Sequence, residues 1–287
     1  MSKPGHSMAL APGVRAIRFS RDWVTRPVFG VLLMAAVIFA IFTDRPWLEL
    51  VVAVAALLAA REWHRMVGRG RFIVELVATT AIIWLALGAF LLWPRSAGPV
   101  AILGAGTLAV FAIAAIRRNH PLWNAGGVLY LGIPSLSLIA LRDFSAHGAW
   151  VLIALFLVVW ATDTGALVCG NLIGGPKIAP ALSPNKTWAG TIGGIVAAAA
   201  VLAAFIAIFG GDAVVAASYG AGLGVVAHAG DLFESWVKRH FDLKDSGSMI
   251  PGHGGVLDRI DSTLAAVFAL AVAVLGFGFD PLFGAFS

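Results

Sequence analysis

Nine apolar stretches separated by short polar joints constrain this chain more than any other feature. They fall at about 28–43, 46–61, 73–92, 98–116, 123–141, 149–168, 187–209, 212–228 and 263–285. Most approach the roughly 20 residues a helix needs to cross a hydrocarbon core. None alternates with the period of a barrel strand, and open strands would leave backbone amides unpaired in lipid. The fold expected is therefore all-α, a polytopic transmembrane helical bundle of about nine spans. The first two stretches are short, and the joint from Thr43 to Pro46 leaves room for a hairpin bend instead. Composition agrees: 60% of residues are hydrophobic and 12% charged, against about 45–50% and about 25% in a soluble domain. The single cysteine, Cys169, excludes an intrachain disulfide and a zinc–cysteine site, and suits a small apolar filler. A net charge of +5 without a basic soluble module points to anionic lipid, not nucleic acid.

Basic residues fix an expected sidedness. With the N-terminus cytoplasmic, the inner segments hold 17 of the 20 Lys and Arg, and the outer joints keep only Arg45, Arg95 and Arg142. Residues 1–27, with Lys3, Arg15, Arg18, Arg21 and Arg26, suit a basic interfacial segment without a removable signal peptide. N-terminal spans would occupy 28–148. A C-terminal region, 149–287, would carry two long inner loops at 169–186 and 229–262. Glycine-rich patches at Gly190–Gly194 and Gly220–Gly224 suit close helix packing better than a phosphate cradle, since neither leads into a Lys-Ser/Thr pair.

Chemistry-bearing residues concentrate in those loops. Asp231, Ser235 and Lys238 or Arg239 would share one face if their stretch is helical, and Asp258 and Asp261, three apart, would share another. Carboxylates facing one point repel unless a cation lies between them, and hard oxygen ligands favour Mg²⁺ completed by phosphate. Between the clusters, Pro251-Gly252-His253-Gly254-Gly255 could bring backbone amides to an anion or form a plain surface turn. Lys244 and Arg259 flank it. In the other loop, Ser183-Pro184-Asn185-Lys186-Thr187 supplies hydroxyls, an amide and an ammonium just before a helix. Free N–H groups there attract anions, and an N-cap serves the same residues equally well. Asp163 lies inside an apolar span, where an ionisable group is a functional candidate, with capping or cation pairing as the alternative.

These residues resemble the phosphatidate cytidylyltransferases, also called CDP-diacylglycerol synthases. The pattern of Ser, Lys-Arg, Lys-Asp, Pro-Gly-His-Gly-Gly and Asp-Arg-x-Asp-Ser runs from Ser235 to Ser262. The second loop is similar to the family's Ser-Pro-x-Lys-Thr-Trp-Glu-Gly, with Ala189 where Glu is usual, and Asp163 and Gly165 resemble its Asp-x-Gly element. The resemblance covers about 160–262. It implies a bacterial inner-membrane enzyme and a homodimer that makes CDP-diacylglycerol and pyrophosphate from CTP and phosphatidate. It also implies Mg²⁺, with K⁺ as a second cation.

On this reading a phosphatidate oxygen attacks the α-phosphorus of CTP directly, since a phosphate monoester is already anionic and positioning dominates. Lys238, Arg239, Asp258 and Asp261 would be catalytic, with Asp231, Asp258 and Asp261 holding the metal. Asp163, Ser183, Asn185, Lys186, Thr187, Ser235, Lys244, His253 and Arg259 would bind substrate. Two other readings are a cytidylyltransferase for a different lipid phosphate and a transporter. The latter would need polar residues at mid-membrane in several spans, whereas here they gather at one face.

Overall fold

The computed structural model describes residues 34–68, 70–145, 147–247 and 254–277. Buried in hydrocarbon, a backbone must satisfy its own amides, and the apolar stretches do so as helices. Residues 34–42 form α1. After it come α2 (Trp47–Val67), α3 (Ile73–Leu92), α4 (Gly98–Ile116), α5 (Pro121–Phe144) and α6 (Gly148–Ile173). A hairpin of β1 (Lys177–Ala179) and β2 (Ser183–Thr187) leads into α7 (Trp188–Ile208), α8 (Ala213–His240) and α9 (Leu257–Ala271), which ends in a π-helical turn, Val272–Gly276. Helix starts carry local devices. Asp212 Oδ1 accepts from the Val214 and Val215 amides at 2.8 and 3.1 Å. Proline opens α5, where its missing N–H costs nothing.

Seven helices among the described residues are long and apolar enough to cross a membrane: α3 through α8, and α9 with its π-helical turn. Of the other two expected spans, α1 lies partly outside the described residues, and α2 carries Glu49, Arg61, Glu62 and Arg65. The chain is a multi-pass helical membrane protein. Large side chains such as Leu108, Ile116 and Leu172 stand exposed on its flanks, as lipid-facing positions do.

The helices run up and down, so their joints alternate between two ends. At one end Arg142 donates to the Ile41 and Thr43 carbonyls at 3.1 and 3.0 Å, Arg45 pairs with Asp143, and Arg95 lies 6.0 Å from the Phe144 ring centroid. At the other, Arg117 meets Glu75 at 3.0 Å, Trp123 stacks near Trp236 and Phe241, and Arg239 donates to the Leu182 carbonyl at 3.2 Å. The three arginines assigned to outer joints thus share one end, and the chemistry-bearing residues share the other. α5 sits centrally, against α2, α3, α4, α6 and α9.

Both expected long loops are shorter than the apolar pattern implies. α6 continues to Ile173 and 177–187 fold back as the hairpin, so the chain is not purely helical. α8 continues to His240 and α9 begins at Leu257, which turns most of 229–262 into helix. Hydropathy marks where apolar residues stop, whereas backbone hydrogen bonding carries a helix on past the bilayer. The glycine patches pack as expected: a Cβ at Gly194 would fall 2.6 Å from the Thr162 carbonyl, and one at Gly220 2.6 Å from that of Ala198.

Candidate active site

The polar end is built where α8 crosses α9. Gly230 permits the crossing, since a Cβ there would lie 2.6 Å from the Ala265 Cβ and 2.8 Å from the Asp261 carbonyl. One helical turn on, Glu234 is completely buried against Asp261, itself 6% exposed. Glu234 Oε2 takes the Lys238 ammonium at 2.7 Å, while Oε1 accepts from no donor among the described residues. Two buried carboxyl groups in contact require a shared proton or a cation. Asp231, a turn earlier on α8, lies within electrostatic reach of Asp261, and Lys186 pairs with it at 2.5 Å from the end of β2.

Lys238 also meets Asp258 Oδ1 at 2.7 Å, and so joins α8 to the first turn of α9. Asp258 accepts further from the Ser246 amide at 3.3 Å and the Gly255 amide at 3.1 Å. Its neighbours are therefore a lysine and two loop amides, whereas the carboxyl group beside Asp261 is that of Glu234. The expected trio of Asp231, Asp258 and Asp261 does not close on one point, and among the described residues no three His, Cys, Asp or Glu do.

A residue of α2 completes this framework. Glu62, 1% exposed, accepts from the Leu257 amide at 2.8 Å and from the Ser246 hydroxyl at 3.1 Å, both through Oε2. The α9 N-terminus has no side-chain cap of its own, and Glu62 supplies an acceptor from about 195 residues upstream.

The hairpin forms the opposite wall. Thr187 caps α7, its Oγ1 accepting from the Gly190 amide at 3.1 Å, so the N-cap reading of this segment holds. Ser183 pairs with Ala179 in the hairpin, and Asn185 is exposed, its carbonyl 3.5 Å from the Lys177 ammonium. Asp163, exposed on α6, is in electrostatic reach of Asp231, Lys186 and Arg259. Arg239 ties α8 to the loops through the Leu182 and Leu243 carbonyls, Ser235 is buried and Lys244 is exposed. His253 and the rest of 248–253 lie outside the described residues.

Two acidic residues central to the site escape a reading by motif. Glu234 carried a usable signal, standing four residues before Lys238, the spacing of a helical ion pair. Glu62 carried none, because its partners are remote in the chain.

The Cytidylyltransferase family model matches residues 24–277. The chain is 32% identical over 282 residues to a phosphatidate cytidylyltransferase of Haemophilus influenzae, covering 84% of this chain and 95% of that protein. To proteins of the same name it is 48% identical over 151 residues in Brucella suis and 38% over 146 residues in Rickettsia felis. The chain spans about half the length of the Brucella relatives it matches, 55%, and 64% of the Rickettsia protein. A bundle of apolar helices with lysines and carboxylates gathered at one end, matched by the family model over residues 24–277 and by the Haemophilus protein over 84% of its length, belongs to the cytidylyltransferase family.

Proposed function

We propose that the chain transfers the cytidylyl group of CTP to phosphatidate, yielding CDP-diacylglycerol and pyrophosphate, at the cytoplasmic face of a bacterial inner membrane. The observation that carries this reading is the pair of ammonium groups, Lys238 and Lys186, set among four carboxylates where the apolar bundle ends. A water-soluble triphosphate and a lipid phosphate can meet only at such a plane. An oxygen of the phosphatidate phosphate forms a bond to the α-phosphorus of CTP as the bond to the β-phosphate oxygen breaks, and pyrophosphate leaves in line. No base is required, since the attacking oxygen is already anionic. Lys186, Lys238 and Arg259 would hold phosphates and offset their charge, and Asp163 and Asp231 would orient Lys186.

Mg²⁺ fits the donor set. Mg²⁺ is commonly held by one or two carboxylates plus substrate phosphates, not by an all-protein cage. Asp261 and Glu234, whose buried carboxyl groups meet, offer such oxygens. When bound, the ion would neutralise charge on the phosphates. K⁺ as a second cation and assembly as a homodimer belong to the same proposal.

The test is pyrophosphate release from CTP by purified protein in detergent, with and without phosphatidate and Mg²⁺. Release dependent on all three is expected. Release only with a different lipid phosphate would move the substrate assignment. Absence of release with every lipid phosphate would overturn the reading.

A further inference from the structure

We propose that Glu62 is a positioning residue for this site: from α2 it holds Ser246 and Gly247, beyond α8, together with Gly255 and the first turn of α9. The proposal rests on the cytidylyl-transfer reading for its kinetic consequences and on geometry alone for its structural ones. Glu62 Oε2 accepts from Ser246 Oγ and from the Leu257 amide at the start of α9. The chain closes around it as well. A Cβ at Gly247 would lie 2.5 Å from Glu62 Oε1, and one at Gly255 2.6 Å from Oε2. Both glycines therefore leave room for the carboxylate.

Asp258 reads the same loop from the other side, through the Ser246 and Gly255 amides, and passes that placement to Lys238. Glu62 and Asp258 thus grip one loop between them, but only Asp258 touches the lysine. Glu62 places an acceptor at a helix start, where the first N–H groups lack intrahelical partners. Its effect on the reaction runs through where α9 begins, and so through the placement of Asp258 and Asp261.

The test compares Glu62→Ala and Glu62→Gln in full-length protein, by steady-state kinetics and by amide hydrogen exchange. Glu62→Ala is expected to lower kcat by about 10²-fold, the scale of a small misplacement of reacting groups, with a much smaller change in KM for CTP. Exchange at residues 257–261 should rise, while that of α4 stays as in the parent. Glu62→Gln keeps an acceptor oxygen and should retain kcat within about tenfold, with α9 still protected. Parental kcat in Glu62→Ala overturns the proposal, as does lost activity with α9 exchange unchanged. Glu62→Gln as slow as Glu62→Ala with α9 protected also overturns it, since charge at the reacting atoms would then be what matters. If Glu62→Ala does not fold, Ser246→Ala, which removes one of the two bonds, decides: faster exchange at α9 with reduced kcat supports the proposal, and no change in either overturns it. A parent protein that releases no pyrophosphate with any lipid phosphate would strike the function, while the exchange result would still judge the clamp.

Discussion

Lys238 donates to carboxylates on two helices at 2.7 Å each, with its side chain 13% exposed. Removing such a cation leaves Glu234 and Asp258 facing each other without compensation, and breaking a buried ion pair from one side costs about 3–5 kcal/mol. Lys238→Met should therefore lower the thermal midpoint in detergent and abolish pyrophosphate release together. Asp258→Asn differs in kind. It keeps a carbonyl for the loop amides but gives up the charge opposite Lys238. The protein should still insert and purify as a folded species, while transfer falls by at least about 10²-fold, or about 2.7 kcal/mol of barrier. Near-parental turnover of Asp258→Asn would remove that aspartate from the site. Lys238 and Asp258 were legible from the motif because their spacing in the chain is characteristic. Glu234, completely buried beside them, is harder to read, since one acidic residue in a polar stretch looks like a solvated face until the crossing with α9 encloses it.

At the scale of elements, the contact of α8 with α9 decides whether the acidic residues meet. Gly230 has no space for a methyl group against the Asp261 carbonyl, so Gly230→Val should push the helices apart. Overpacking of this kind costs about 1–3 kcal/mol. Loss of kcat exceeding loss of stability, read from kinetics and a thermal melt of the same preparation, is the expected signature. The apolar periodicity located these helices but misplaced their ends. The apolar pattern stops near residue 228 and α8 runs on to His240, because the stretch from Asp231 onward is polar in composition and helical in hydrogen bonding. The hairpin at 177–187 is hidden from the pattern for a related reason: its strands are three and five residues long, too short to show a period.

Across the whole molecule, the joints sort into two ends, and the sorting by structure agrees with that by charge. Arg45, Arg95 and Arg142 lie at the end away from Lys186, Lys238 and Arg239. Sidedness can be read directly, because Cys169 is the chain's one cysteine and Cys169→Ala gives a blank background. In intact spheroplasts, a membrane-impermeant maleimide should label Arg95→Cys at once and Lys244→Cys only after permeabilisation. The opposite pattern would invert the proposed topology. What no local pattern could convey is the dependence of the C-terminal site on α2, since a contact between Glu62 and Leu257 leaves no trace in any window of sequence.

That contact also orders events during synthesis. Ribosomes add about 5–20 residues per second, so roughly 10–40 s separate the emergence of Glu62 from that of Leu257. During that interval the early helices lie in the membrane with a carboxylate whose partners do not yet exist.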